Sequence, residues 1–276
     1  MATSGAMPSR PSSKKKISAP PAERALAATV EERTANLERR LKSAPTSLQN
    51  QYRADLDRSW IRHDSALEGV VYSVQELRIA IGDFDASVPI DATIQPVVAD
   101  IRRHREALNF VRRYAADADL PITVDLIKGM YCALHPEEGD GKTVKFRRDV
   151  PQHRLYFHEY APPDKIAVRL RQITDWVNDP ETGRTRNPLR MASRAHYDLL
   201  RVFPFPVDSG KVARMFLNLL LLRNGYPPAI IHSSERQRYY EALKGSSSTM
   251  LSIVQESIED SLGSIERLLD QYEAMK

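Results

Sequence analysis

The chain has 276 residues, 42% of them hydrophobic, with a formal charge of +4 and a pI near 9.1. That is enough apolar material for a packed core, and the length admits one large or two small domains. Its single cysteine, Cys132, excludes an intramolecular disulfide and a cysteine-based zinc site, and fits a reducing compartment such as the cytoplasm. No apolar run approaches the roughly twenty residues needed to cross a membrane.

Residues 1–22 are rich in Ser, Pro, Ala and Lys, including Lys14, Lys15 and Lys16, and read as a disordered basic tail. A solubilising role suits this composition, and a weak contact with nucleic acid or an acidic surface is the other reading. The tail lacks the apolar centre of a signal peptide, and its prolines argue against the amphipathic helix of a transit peptide. Residues 23–44 read as a charged helix. In 46–67, Leu48, Tyr52, Leu56 and Trp60 form one apolar stripe at nearly fourfold spacing. Ser73 to Glu76 is a capping box for the next helix. Residues 93–116 continue with Val97, Ile101, Leu108 and Val111. Arg102, Arg103, Arg105, Arg112 and Arg113 fall all round this helix among core positions, which suits a solvated face better than a nucleic-acid surface.

Further helices are expected over 121–135, 163–178, 188–202, 210–224, 234–243 and 247–274, with Cys132 in the core of the first. Gly, Pro and Asp clusters make 136–143 and 179–187 loops. Only 144–158 alternates as a short hairpin does. There are no internal repeats. The fold class is therefore all-α, a helical bundle with one short β-hairpin. One domain is expected over 23–275, with an N-terminal helical extension.

Ser209-Gly210-Lys211 opens a helix whose continuation, Met215 to Leu222, is apolar on nearly every side and so belongs inside. Gly225 and then Pro227-Pro228 end it. The first turn of a helix carries free N–H groups and a partial positive charge, which attract anions and phosphate above all. Gly210 admits a ligand close to the backbone. Lys211 and Arg214, three apart, share a face. Together these residues form a phosphate cradle. The plainer reading is a capped core helix with two cations, and the loop is too short for a P-loop.

The stretch Phe203-Pro204-Phe205-Pro206-Val207-Asp208-Ser209-Gly210-Lys211-Val212-Ala213-Arg214 resembles the signature of the Fic (Fido) family: His-Pro-Phe, any residue, Asp or Glu, Gly-Asn-Gly, Arg or Lys, two residues, Arg. The likeness extends over about 55–260, with the Fic core at about 90–243. It includes Ala195 to Leu200 before the motif, and Asn218 to Pro228 and Glu235 to Leu243 after it. The resemblance implies transfer of AMP or another phosphate-linked group from ATP or another nucleotide onto a protein hydroxyl. Phe203 stands where the family has its catalytic histidine, and Val207 where it has the acid that holds Mg²⁺. Valine offers no hard oxygen ligand. Asp208 replaces the first Gly. It is the candidate substitute for the missing base, which requires a raised pKa; it also either recovers the metal or opposes phosphate. Ser209 replaces the Asn and keeps one hydroxyl. His153, His158 and His196 are further imidazoles near these elements, and Tyr131 stands where the family often carries a His.

Two more likenesses concern target and regulation. Lys145-Phe146-Arg147 through Pro162-Pro163 resembles the flap, which holds a target segment by strand addition; Arg147, Val150 and Leu155 lie on it. Asp64 to Gly69 resembles the family's inhibitory motif, in which a Glu pairs with the second Arg of the signature. Here those residues are Glu68 and Arg214, and Asp64 replaces the usual Ser or Thr. A purely structural ion pair is the alternative. Two functions follow: a divergent AMP-transferring enzyme that uses a nucleotide and a protein target, or a pseudoenzyme, a non-catalytic Fido-fold scaffold for nucleotide or peptide.

Overall fold

A computed structural model describes residues 21–82, 91–151 and 159–275, with side chains from Val30 onward. It is built from helices: α1 (Pro21–Ser43), α2 (Thr46–Leu67), α3 (Val74–Ile81), α4 (Gln95–Ala116), α5 (Val124–Leu134), α6 (Ile166–Asn178), α7 (Pro180–Thr185), α8 (Pro188–Val202), α9 (Ser209–Arg223), α10 (Arg236–Glu241) and α11 (Ser247–Ala274). Several starts have a local cause. The Ser73 hydroxyl accepts from the Glu76 N–H at 3.1 Å while the Glu76 carboxylate accepts from the Ser73 N–H at 2.7 Å, the reciprocal box read from the sequence. Thr123 caps α5 through the Leu126 N–H, and Asn187 caps α8 through the Leu189 N–H.

Helix α9 lies at the centre, packed against α8, α4, α5 and α2, and every residue from Ser209 to Leu221 is buried. Each large apolar side chain withdrawn from water there contributes roughly 1.5–3 kcal/mol. Asn218, the polar exception in its second half, is satisfied by Ala229: it accepts from that N–H at 2.7 Å and donates to that carbonyl at 3.2 Å. Helix α1 lies along α11, where Arg33 pairs with Glu259 and Glu266, and Arg40 with Asp270 and Glu273. Among the described residues no helix is long and apolar enough to cross a membrane.

Three expectations change. Residues 179–187 are not simply a loop: Asp179 caps the Glu181 N–H, Pro180 takes the first helical position, and α7 forms. The first part of the expected hairpin, 144–151, contains no strand; 152–158, with His153, Leu155 and His158, lie outside the described residues. Helix α1 begins at Pro21, inside the stretch read as tail, and residues 1–20 of that stretch lie outside the described residues. The arginines of α4 are also partly committed: Arg105 and Arg112 hold the buried Asp57, and Arg112 lies over the Trp60 ring.

Candidate functional site

The loop of residues 203–208 connects α8 to the first turn of α9, and neighbouring elements fix its shape. Phe203 (φ 47°) and Asp208 (φ 52°) are the two non-glycine residues in the left-handed region among those described. Asp tolerates that region better than most side chains, so it can stand where a glycine is expected; the Phe is strained there. The Phe203 ring packs against Tyr160 with centroids 5.0 Å apart. Phe205 is fully buried and stacks on Tyr131 at 4.2 Å, so Tyr131 has a packing role.

Arg147 clamps this loop. Its Nε donates to the Phe203 carbonyl at 2.6 Å, Nη2 to the carbonyls of Val202 at 3.0 Å and of Ala161, and Nη1 to the Asp149 carbonyl at 2.8 Å. Its backbone N–H donates to the Pro204 carbonyl at 2.9 Å. Arg147 is thus turned inward, anchoring residues 147–149 and Ala161 to the loop. Val150 is exposed nearby, and Leu155 lies outside the described residues.

Two members of the expected phosphate cradle are engaged elsewhere. The Ser209 hydroxyl accepts from the Phe205 N–H at 2.7 Å and donates to the Phe205 carbonyl at 3.0 Å, tying the loop rather than facing a ligand. Lys211 is buried, with Nζ 3.1 Å from Asp208 Oδ1. The other Asp208 oxygen lies 2.9 Å from Nε2 of His135, and Nδ1 of that ring lies 3.1 Å from Glu137. Burial opposes ionisation of Asp208, but His135 and Lys211 outweigh it and hold its carboxyl well below the usual range. A general base near neutrality needs the opposite shift, so the role suggested for Asp208 is corrected. Val207 has no oxygen and both Asp208 oxygens are engaged, so these residues do not fit Mg²⁺.

His135 is the residue that the sequence reading passed over. The bond to Asp208 raises its pKa, burial opposes this in part, and Glu137 adds to the rise. A signal was available: His135 follows Tyr131 by four residues at the end of α5, a spacing that shares a helical face, and the two rings lie 4.7 Å apart. His196, which the sequence did suggest, is structural. It is fully buried between the Ala213 carbonyl (2.9 Å) and the Tyr239 hydroxyl (3.0 Å), and burial pushes its pKa down to about 3.

Arg214 and the end of α2 meet as the sequence suggested. Helix α2 ends at Leu67, and Gly69 (φ 91°) supplies the left-handed residue that lets the Val70 N–H close back on the Ser65 carbonyl at 3.0 Å. Arg236 fixes this end from α10 by donating to the Leu67 carbonyl at 2.8 Å. Glu68, placed there, accepts from Arg214 Nη2 at 2.7 Å and from the Tyr240 hydroxyl at 3.2 Å. Asp64, one turn earlier, accepts from Arg214 Nε, and its other oxygen lies 2.9 Å from His104 Nε2. Burial works against the Asp64 charge, but Arg214 and His104 outweigh it and bring its pKa to about 2.

The Glu68 carboxylate also reaches the start of α9. A Cβ on residue 210 would collide with it and would lie 3.1 Å from Arg214 Nη1, so Gly210 is required for this close approach. Asp208 does not cap α9 with its side chain. The positive end of the helix is therefore faced by an acid from α2. Arg214 Nη1, itself buried, has no hydrogen-bond partner among the described residues. The Glu68 carboxylate thus lies over the start of α9, held by Arg214 and Tyr240.

The site combines a clamped loop, a glycine at a helix start and a carboxylate lying over it. Residues 121–221 match the Fic/DOC family, and the chain carries a Fic domain. A Caenorhabditis elegans relative, protein adenylyltransferase fic-1, is 38% identical over 92 residues, 33% of this chain and 18% of the relative. Protein adenylyltransferase Fic of Drosophila willistoni is 36% identical over 102 residues, 36% of this chain and 20% of the relative. The matched segment thus spans about a fifth of these relatives' length. Among solved structures, Fic-1 of C. elegans superposes with TM-score 0.70 at 23% identity, covering 90% of this chain and 72% of that one. A Fic domain containing signaling protein of Bacteroides thetaiotaomicron gives 0.65 at 17% identity, covering 86% and 95%. Those likenesses show a shared fold.

Proposed function

We propose that this chain is a nucleotide-binding Fic domain of the AMP-transferring type, kept at low activity by Glu68 and by the lack of a base at position 203. The observation that carries the reading is the Glu68 carboxylate over Gly210, bonded to Arg214. A site that binds a carboxylate at a helix start and beside a buried guanidinium suits a phosphate once that carboxylate moves. The family match and the adenylyltransferase relatives support ATP as donor.

In this reaction a target hydroxyl attacks the α-phosphorus of ATP, a P–O bond forms to the target, the bond to the β-phosphate bridge breaks, and pyrophosphate leaves. Arg214, freed from Glu68, holds phosphate charge, and the first turn of α9 orients it. Phe203 cannot take the hydroxyl proton, and Asp208, with both oxygens paired to His135 and Lys211, is a poor acceptor, so the proton passes to water. Positioning still lowers the barrier, while the missing base costs about a hundred- to ten-thousandfold. The second reading, a scaffold without transfer, draws on the Phe203 ring packed against Tyr160 and on the engagement of Ser209 and Lys211 within the loop.

The test uses ATP labelled at the α- or γ-phosphate, with the wild-type chain and Glu68→Gly. Protein-bound label from α- but not γ-labelled ATP, stronger in the variant, is the expected result. ATP binding with no α-label on any protein would favour the scaffold.

A further inference from the structure

A groove of about 650 Å³ opens beside residues 159–162, where the chain rejoins the helical body, and is walled by α6 and α8. Its floor is apolar: Tyr160, Ile173 and Val202 are buried and Trp176 is half-buried. Its rim is basic. Lys165, Arg169, Arg186, Arg194 and Arg201 line it, against the acids Glu159 and Asp198. Five basic residues among fourteen described lining residues, against 40 in 276 for the whole chain, mark a concentrated patch.

The cations are arranged in order. Lys165, Arg169, Gln172 and Trp176 are spaced four, three and four apart, so α6 and the residue before it present one stripe to the groove. Eleven residues of helical rise make that stripe about 16 Å long, which is the reach of about five residues of extended chain. Arg194 already pairs with Asp198 at 2.7 Å, and Arg201 donates to the Tyr197 hydroxyl and the Leu243 carbonyl. Arg186 lies over the Trp176 ring at 5.5 Å. Lys165 and Arg169 are exposed along the stripe, and Lys165 Nζ lies 3.3 Å from the equally exposed Asp164, a surface pair that a ligand carboxylate can replace at little cost.

The groove is continuous with the loop before α9. The Tyr160 ring that lines it packs on Phe203, the Ala161 N–H donates to the Arg201 carbonyl at 3.1 Å, and Arg147 binds the carbonyls of both Ala161 and Val202. A chain lying in the groove therefore ends next to residue 203.

We propose that this groove docks a short, extended, acidic segment of a partner protein, with carboxylates along the Lys165–Arg169 edge and one apolar side chain against Ile173 on the floor, beside Trp176. Naming that partner as the target of transfer rests on the proposed function; the docking itself does not. A nucleic-acid strand suits the site less well, because Arg186 covers the Trp176 face on which a base would stack.

Trp60 and Trp176 are the two tryptophans, and Trp60 is 2% exposed in the core, so a ligand-induced change in emission reports Trp176. The probe is a blocked hexapeptide of Glu and Asp with one central Leu, titrated into the full chain at low salt. A saturable emission change is expected, weakened at least tenfold in Lys165→Glu/Arg169→Glu and by added salt. Absence of saturation at millimolar peptide, equal binding by the charge-reversed variant, or tighter binding of a six-nucleotide single-stranded RNA would overturn the proposal. ATP titrated into Glu68→Gly, with and without the two charge reversals, separates the two ideas. Peptide binding without ATP binding keeps the groove and ends the transfer reading. ATP binding without peptide binding does the reverse.

Discussion

Asp64 and Glu68 divide Arg214 between them, and under the proposed function that division lets one guanidinium serve both stability and regulation. Asp64 binds Arg214 from a fully enclosed position with His104 behind it, whereas the Glu68 side chain is 20% exposed and can leave. Removing Arg214 would strand the Asp64 charge, a loss of about 3–5 kcal/mol for a buried pair; removing Glu68 would not. That asymmetry makes Glu68 the residue to vary. The empty role at position 203 is open to a direct gain-of-function test: in a Glu68→Gly background, Phe203→His should raise α-label transfer by about a hundredfold or more. His suits the left-handed backbone there at least as well as Phe; an unchanged rate would show that the base is not what limits transfer. His135 gives a pH test. Its pKa is raised above 6.5 in the fold, so its contribution is complete below 6.5 and is lost as pH rises through the raised value. Asp208 is depressed, so its contribution is complete above 3.8 and is lost as pH falls toward its lowered value. Urea titrations from pH 6 to 9 should show wild-type stability falling where that of His135→Gln stays flat; parallel curves would remove His135 from the account. The Glu68–Arg214 pair was legible because both residues sit in recognisable motifs. The inward turns of Ser209 and Lys211 were not, since they depend on which neighbour each side chain meets after folding.

Helices carry the same lesson one level up. The long ones follow from apolar periodicity and caps: α2, α8 and α11 occupy the expected ranges, and the Ser73–Glu76 box forms with both bonds. Ser73→Ala should therefore cost about 1 kcal/mol, read as a lower urea midpoint with unchanged slope; no shift would mean that α3 is held by packing alone. Short elements were misread for identifiable reasons. The cluster Asp179-Pro180 looks like a loop by composition, yet Asp caps and Pro starts a helix when a partner face is available, and α7 packs on α6. Alternation over 144–151 suggested a strand, but Arg147 draws that backbone toward Pro204 and the end of α8 instead. Local pattern cannot register such a tertiary demand.

Over the whole molecule, a buried central helix has its positive end closed by an acid from a helix far away in sequence. Helix α9 gains its position from α4, α5 and α8, while α2 lies across its start and is fixed by Arg236 and Tyr240. The ion pairs linking α1 to α11 are partly exposed and individually contribute little; the apolar burial along α9 holds the bundle. Regulation in this account is displacement of a single carboxylate from a rigid frame, with no helix refolded. Calorimetric titration of ATP into the wild-type chain and Glu68→Gly, at modest salt, tests this most directly. The account predicts weak or absent binding to the wild type and binding at least tenfold tighter to the variant, with both proteins equally stable by urea unfolding. Equal affinity in the two proteins would contradict it, and would leave Glu68 as a structural partner of Arg214.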